Sequence, residues 1–116
     1  MFRKIIEKPW GFYLEISQEQ NYLVKKIIIN PFSSTSLQVH SHRTECFFIL
    51  KGTLNLIKND SVLTLKPNDF AFIKEGEVHK LENKNSNMLE LLEVQIGSMI
   101  SEQDITRLYE KSRDVN

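Results

Sequence analysis

Apolar residues along this chain fall in short runs, rich in β-branched and aromatic side chains and closed by turn residues. Tyr22–Asn30 (YLVKKIIIN) is strand-like and stops at Pro31. Ser36–His40 is compatible with a short strand, and Cys46–Leu50 (CFFIL) is a continuous apolar run of the kind that forms a buried strand. Lys51-Gly52 turns the chain into Thr53–Lys58, and Asn59-Asp60-Ser61 turns it again into Val62–Leu65, which together read as a hairpin. Further strands are predicted over Phe70–Ile73, Val78–Glu82 and Met88–Ile96. From Ser101 the pattern changes to that of a short helix or an extended tail, with Ser101 as its cap. Many short strands at close spacing predict an all-β sandwich or barrel. No long amphipathic helix alternates with the strands, which argues against a parallel α/β sheet.

Composition narrows the options. The 116 residues correspond to one domain. Fifteen basic and fifteen acidic residues cancel, so no general attraction to nucleic acid or an anionic membrane is expected. The hydrophobic share of 41% and charged share of 26% are those of an ordinary soluble globule. A single cysteine, Cys46, excludes an internal disulfide and a cysteine-only metal site. No apolar run is long enough to span a bilayer and no secretory signal pattern opens the chain, so a cytoplasmic location is expected.

The three histidines sit at informative places. In Leu37-Gln38-Val39-His40-Ser41-His42-Arg43-Thr44-Glu45, residues 38, 40 and 42 share strand parity. In an extended chain their side chains leave one face, successive ones about 6.6 Å apart. Glu45 has the opposite parity and joins them only if the chain turns a corner around Ser41–Thr44. His79 has to arrive from a later strand. Imidazole with carboxylate and amide oxygens suits several divalent cations. An isolated His-x-His is common by chance on protein surfaces, so the spacing of whole segments has to carry the argument.

That spacing carries a resemblance. Gln38-x-His40, four residues, Glu45, six residues and Gly52 resemble the first cupin motif, with Gln38 where many cupins have a histidine. Asn68, five residues, Lys74-x-Gly76, two residues, His79, three residues and Asn83 resemble the second, with Asn68 in place of glycine and Lys74 in place of proline. The resemblance implies a single-domain cupin jelly-roll barrel over residues 1–116, with an N-terminal arm of about residues 1–20, a barrel of about 21–98 and a tail of 99–116. It also implies a divalent metal held by Gln38, His40, Glu45 and His79: zinc first, with manganese, cobalt, nickel or iron as alternatives. Lys8-Pro9-Trp10-Gly11-x-Tyr13, Leu37-Gln38-x-His40-x-His42-Arg43-x-Glu45, His79-x-Leu81-Glu82-Asn83, Glu93-Val94-Gln95-x-Gly97 and Asp104-Ile105-x-Arg107 occur in order. The series is similar to the C-terminal domain of type II mannose-6-phosphate isomerases, often fused to a mannose-1-phosphate guanylyltransferase. The guanylyltransferase part is absent, so its activity is not expected here. Lys8 replaces an arginine, Cys46 a histidine, and Glu110-Lys111-Ser112-Arg113 departs from the family's Asp-x-Tyr-Gly-Arg ending.

The resemblance implies interconversion of mannose 6-phosphate and fructose 6-phosphate through an enediolate. That chemistry needs a general base, for which His42, Glu93 and Lys25 are candidates. It also needs cations for the phosphate, and Lys25, Arg43, Arg107 and Arg113 are available, with Arg107 favoured. Trp10 and Pro9 read as an anchored N-terminal segment, Phe47, Phe48, Phe70 and Phe72 as core or subunit-interface residues, and Cys46 as a buried small residue. A homodimer is implied by the resemblance. Rival expectations are a non-enzymatic sugar- or sugar-phosphate-binding cupin, a metal-dependent enzyme acting on nucleotide-sugars, a dioxygenase, and a purely structural barrel.

Overall fold

The computed structural model describes residues 4–98, 100 and 103–108. Strands β1 (Lys4–Lys8) and β2 (Gly11–Glu19) form a hairpin through Pro9-Trp10, and β3 (Tyr22–Ile29) follows antiparallel to β2. Two short bridges, β4 (Ser33–Ser34) and β5 (Gln38–Val39), lead to β6 (Arg43–Lys51). Then come β7 (Leu54–Lys58), β8 (Ser61–Leu65), β9 (Phe70–Ile73), β10 (His79–Asn83), β11 (Leu89–Gly97) and β12 (Thr106–Arg107). One sheet has the order β1-β2-β3-β11-β6-β9; the other has β12-β5-β10-β7-β8, with β4 beside β10. Two facing antiparallel sheets with crossed connections make the cupin jelly roll. No helix occurs among the described residues.

Alternation along the strands explains the arrangement. In β3, Leu23, Lys25, Ile27 and Ile29 are buried. In β6 the buried set is Arg43, Glu45, Phe47 and Ile49, and in β11 it is Leu89, Leu91, Glu93 and Gln95. Period-two burial puts each set on the inner face. Registers then sort the interior into two halves. Ile27 lies opposite Leu91 and Leu91 opposite Ile49, an apolar row. Lys25 lies opposite Glu93, and Gln95 opposite Glu45, polar rows toward the other end. Leu54, Leu56, Leu81 and Leu89 complete the apolar core beside Phe47 and Ile73, with Trp10 packed against it.

The strand predicted over Cys46–Leu50 runs from Arg43 to Lys51, because the polar inward residues Arg43 and Glu45 hide its start from a hydrophobicity pattern. Residues 4–19 of the expected N-terminal arm form the β1–β2 hairpin. After Gly97 the described part of the tail is extended, reaching β12, while Ser101, the expected cap, lies outside the described residues. Of the four phenylalanines, only Phe47 is in the core; Phe48, Phe70 and Phe72 stand exposed on the outer side of β6 and β9. Cys46 shares that outer side and is half-buried.

Gly97 marks where β11 crosses the start of β6. It lies opposite Arg43, and a Cβ there would meet the His42 carbonyl oxygen and come within 2.8 Å of the Arg43 Cα. Those are backbone atoms that cannot swing aside. Gly97→Ala is therefore expected to cost about 1–3 kcal/mol in urea denaturation, by forcing β6 away from β11.

Candidate metal centre

The polar half of the interior is built where the two sheets meet. His79 opens β10 and lies opposite Gln38 of β5, so both side chains leave the same face. His40 follows β5, the chain bends at Ser41 and His42, and β6 begins at Arg43. This corner lets Glu45 join His40 despite their opposite parity. The ligand atoms of His40, Glu45 and His79 all lie within 4.8 Å of one another, and all three residues are buried.

Glu45 is the hub. Its Oε2 is 3.2 Å from His40 Nε2 and accepts a hydrogen bond from Arg43 Nε at 3.0 Å, while its Oε1 is 3.2 Å from His79 Nε2. Burial alone would raise the Glu45 pKa, but His79, His40 and Arg43 together hold it well below the usual carboxylate range. Burial opposes charging of His79 too; the hydrogen bond and charge of Glu45 outweigh it and raise the His79 pKa. At His40 desolvation wins and the pKa falls, which keeps the imidazole neutral and its lone pair available. Arg43 Nη2 lies 3.3 Å from His40 Nε2, so the guanidinium fills part of the space between these donors.

Beside this cluster a cavity of about 550 Å³ opens between the sheets. Gln38, Arg43, Glu45 and His79 line it, as do Lys25, Glu93, Gln95 and, toward solvent, Lys8, Trp10 and Arg107. Lys25 Nζ is 3.9 Å from Glu93 Oε1 and sits 4.1 Å over the Tyr13 ring. Gln95 Nε2 donates to Glu93 Oε1 at 3.0 Å. Burial, reinforced by the Glu45 charge, pushes the Glu93 carboxyl well above its ordinary range; Lys25 offsets only part of this.

The predicted residues divide. His40, Glu45 and His79 converge, and Gln38 lines the same cavity, its Nε2 donating to Ser36 Oγ at 3.1 Å. Lys25, Glu93 and Arg107 line the cavity as well. His42 does not belong with them. The chain leaves extended geometry at Ser41, so the shared face expected for residues 38, 40 and 42 is broken, and His42 turns out half-exposed to pair with Asp104 at 3.1 Å. Arg43, expected as a phosphate anchor, instead donates to Glu45 and faces His40 inside the cluster. Gln95 and Asp104 were missed as site residues, although Gln95 shares parity with Glu93 and Asp104 lies in the motif read for Arg107. Arg113 lies outside the described residues.

Two imidazoles and a carboxylate, buried and mutually within reach, form a donor set suited to a divalent cation. Residues 1–110 match the family described as mannose-6-phosphate isomerase C-terminal. The chain is 40% identical over 102 residues to the xanthan biosynthesis protein XanB of Xanthomonas campestris pv. campestris (strain B100), covering 88% of this chain and 22% of the relative. It is 37% identical over 105 residues to a mannose-1-phosphate guanylyltransferase of Salmonella muenchen, covering 90% of this chain and 22% of that protein. Among solved structures, the Schizosaccharomyces pombe Cnp3 cupin domain superposes with a TM-score of 0.72 at 13% identity, covering 74% of this chain and 64% of that one. The last likeness concerns the fold alone.

These relatives correct the expected reaction. Proteins similar along most of this chain are named for guanylyl transfer and xanthan biosynthesis, not for interconverting mannose 6-phosphate and fructose 6-phosphate. Of the three candidate bases, Lys25 and Glu93 line the cavity and His42 stands outside it.

Arg43→Met is expected to destabilise the protein by about 3–5 kcal/mol in chelator, because a buried carboxylate loses its cation. Zinc should recover part of that loss, and the two urea denaturation curves measure it.

Proposed function

The chain belongs to the family of mannose-6-phosphate isomerase C-terminal domains, and we propose that it is a sugar-phosphate-binding cupin that holds a divalent cation. The observation that carries the reading is one cavity of about 550 Å³ that reaches Glu45 and His79 of the buried nitrogen–oxygen cluster and is lined by cationic side chains nearer solvent. Its volume lies within the range of small-molecule sites, roughly 300–1,000 Å³. His40, Glu45 and His79 would hold the ion, with Gln38 beside them. A bound cation would supply a Lewis acid for a sugar oxygen. Arg107 and Lys8 suit the phosphate, Arg107 through its paired N–H donors. Glu93 and Gln95 offer oxygens to sugar hydroxyls, and Trp10 walls the entrance. Mannose 1-phosphate is the first ligand to consider, since a similar protein is named for acting on it.

A second reading has its own support. Glu93, buried beside Lys25 with a raised pKa, is equipped to exchange a proton with a ligand. This favours a metal-dependent enzyme acting on a nucleotide-sugar. Turnover of GDP-mannose that is lost in Glu93→Gln would select it over simple binding.

The outer face supports pairing of two copies. Phe48 lies opposite Phe70, and Cys46 opposite Phe72, with Phe70 68% exposed. Light scattering should give a dimer mass that Phe70→Lys with Phe72→Lys reduces to a monomer's; a monomeric wild type would remove this part.

Calorimetric titration tests the main reading. One zinc or manganese ion per chain should bind, and His79→Ala should weaken it at least about 100-fold, a loss near 2.7 kcal/mol. Mannose 1-phosphate should raise the melting temperature, and Arg107→Ala should weaken it more than unphosphorylated mannose. Absence of both cation and sugar-phosphate binding in folded protein would sink the reading.

A further inference from the structure

Asp104 lies 64 residues beyond His40 in sequence, yet its groups close around the corner that carries that histidine. The Asp104 backbone oxygen is 2.7 Å from His40 Nδ1. Its carboxylate accepts the Ser41 N–H at 3.0 Å through Oδ1 and the His42 N–H at 2.8 Å through Oδ2. Oδ1 also lies 3.1 Å from His42 Nδ1. Asp104 is itself buried, at 7% exposure, and the residues after it are fastened to the same wall. Thr106 pairs with Val39, Arg107 with Gln38, and Leu108 N–H donates to the Leu37 oxygen at 2.9 Å.

We propose that Asp104 is a positioning residue for the metal centre, fixing both the tautomer of His40 and the bend that aims it at Glu45. The inference rests on the reading that His40, Glu45 and His79 hold a cation. A backbone oxygen can only accept, so its contact requires the proton on His40 Nδ1. The lone pair then sits on Nε2, which faces Glu45 Oε2 at 3.2 Å. The carboxylate fixes the rest by tying down two successive backbone N–H groups at the bend. Both parts come from one residue, so ring orientation and corner geometry are set together. The same segment places Ile105, Arg107 and Leu108 in the cavity wall, which joins sugar-phosphate contact to the placement of a cation ligand.

The experiment compares the full chain with Asp104→Asn and Asp104→Ala. Zinc affinity is read by competition with a chromophoric chelator, and the His40 tautomer by long-range ¹H–¹⁵N correlation in metal-free protein. Wild type should show the Nδ1–H form. Asp104→Ala keeps the backbone oxygen but frees the corner that holds His40 against it, so it should lose about 10–100-fold in zinc affinity and show mixed tautomers; Asp104→Asn, which keeps one amide oxygen for the corner, should fall between. Should Asp104→Ala not fold, Asp104→Asn decides alone. Asn83→Ala provides the comparison for simple destabilisation. Asn83 Nδ2 donates to the Ile29, Asn30 and Asn87 oxygens at the opposite end of β10 from His79. It should lower the melting temperature with zinc affinity and tautomer unchanged. Wild-type zinc affinity and tautomer in the folded Asp104 variants would overturn the positioning role alone. A zinc loss in Asn83→Ala as large as in Asp104→Ala would also overturn it. A wild type that binds no divalent ion while keeping the Nδ1–H form would instead overturn the metal reading, and the positioning role with it.

Discussion

One buried carboxylate organises this molecule. Glu45 is 1% exposed, and an ionised carboxylate at that depth is costly unless every side is answered. Arg43 answers it from the same strand, two residues away, and His79 from the other sheet, while the loop before β6 sets His40 beside it. Glu45 and His79 can meet only when the two sheets close on one another. The barrel and the site are therefore the same structural event, and neither element has this partner set in an unfolded chain.

The interior divides labour along its length. At one end Ile27, Ile49, Leu54, Leu56, Leu89 and Leu91 form a dry core whose burial drives folding. At the other, Lys25, Glu93, Gln95, Glu45 and Arg43 replace the apolar residues on the same strands and in the same inward register. Apolar burial at the first end holds the strands that carry the charged groups at the second. Gly97 belongs to this plan: without a side chain it lets β11 press against the start of β6, where Arg43 and Glu45 leave the sheet.

Legibility in sequence followed local chemistry. The β7–β8 hairpin was readable because Asn59 takes a left-handed conformation, φ 52°, that asparagine tolerates at a tight turn. Strand β9 was readable from its apolar run, Phe70–Ile73. The start of β6 was not, since its inward residues are charged, and a hydrophobic pattern takes charge as a sign of exposure. His42 misled for a related reason. Strand parity assumes an extended chain, and the contacts that bend it at Ser41 come from Asp104.

The sequence by itself determined the succession of short strands, the turns between them, and the residue types for a nitrogen–oxygen cluster, because these depend on neighbours within a few positions. The motif spacings added a family resemblance covering nearly the whole chain. Tertiary structure alone decided that Arg43 would turn inward to Glu45, that Lys25 would stand against Glu93, and that His42 would leave the cavity for Asp104. Each of those outcomes pairs a charge or hydrogen-bonding group with a partner that folding brings near. Whether burial of a charge is tolerable depends on that partner, and no local pattern of hydrophobicity contains it.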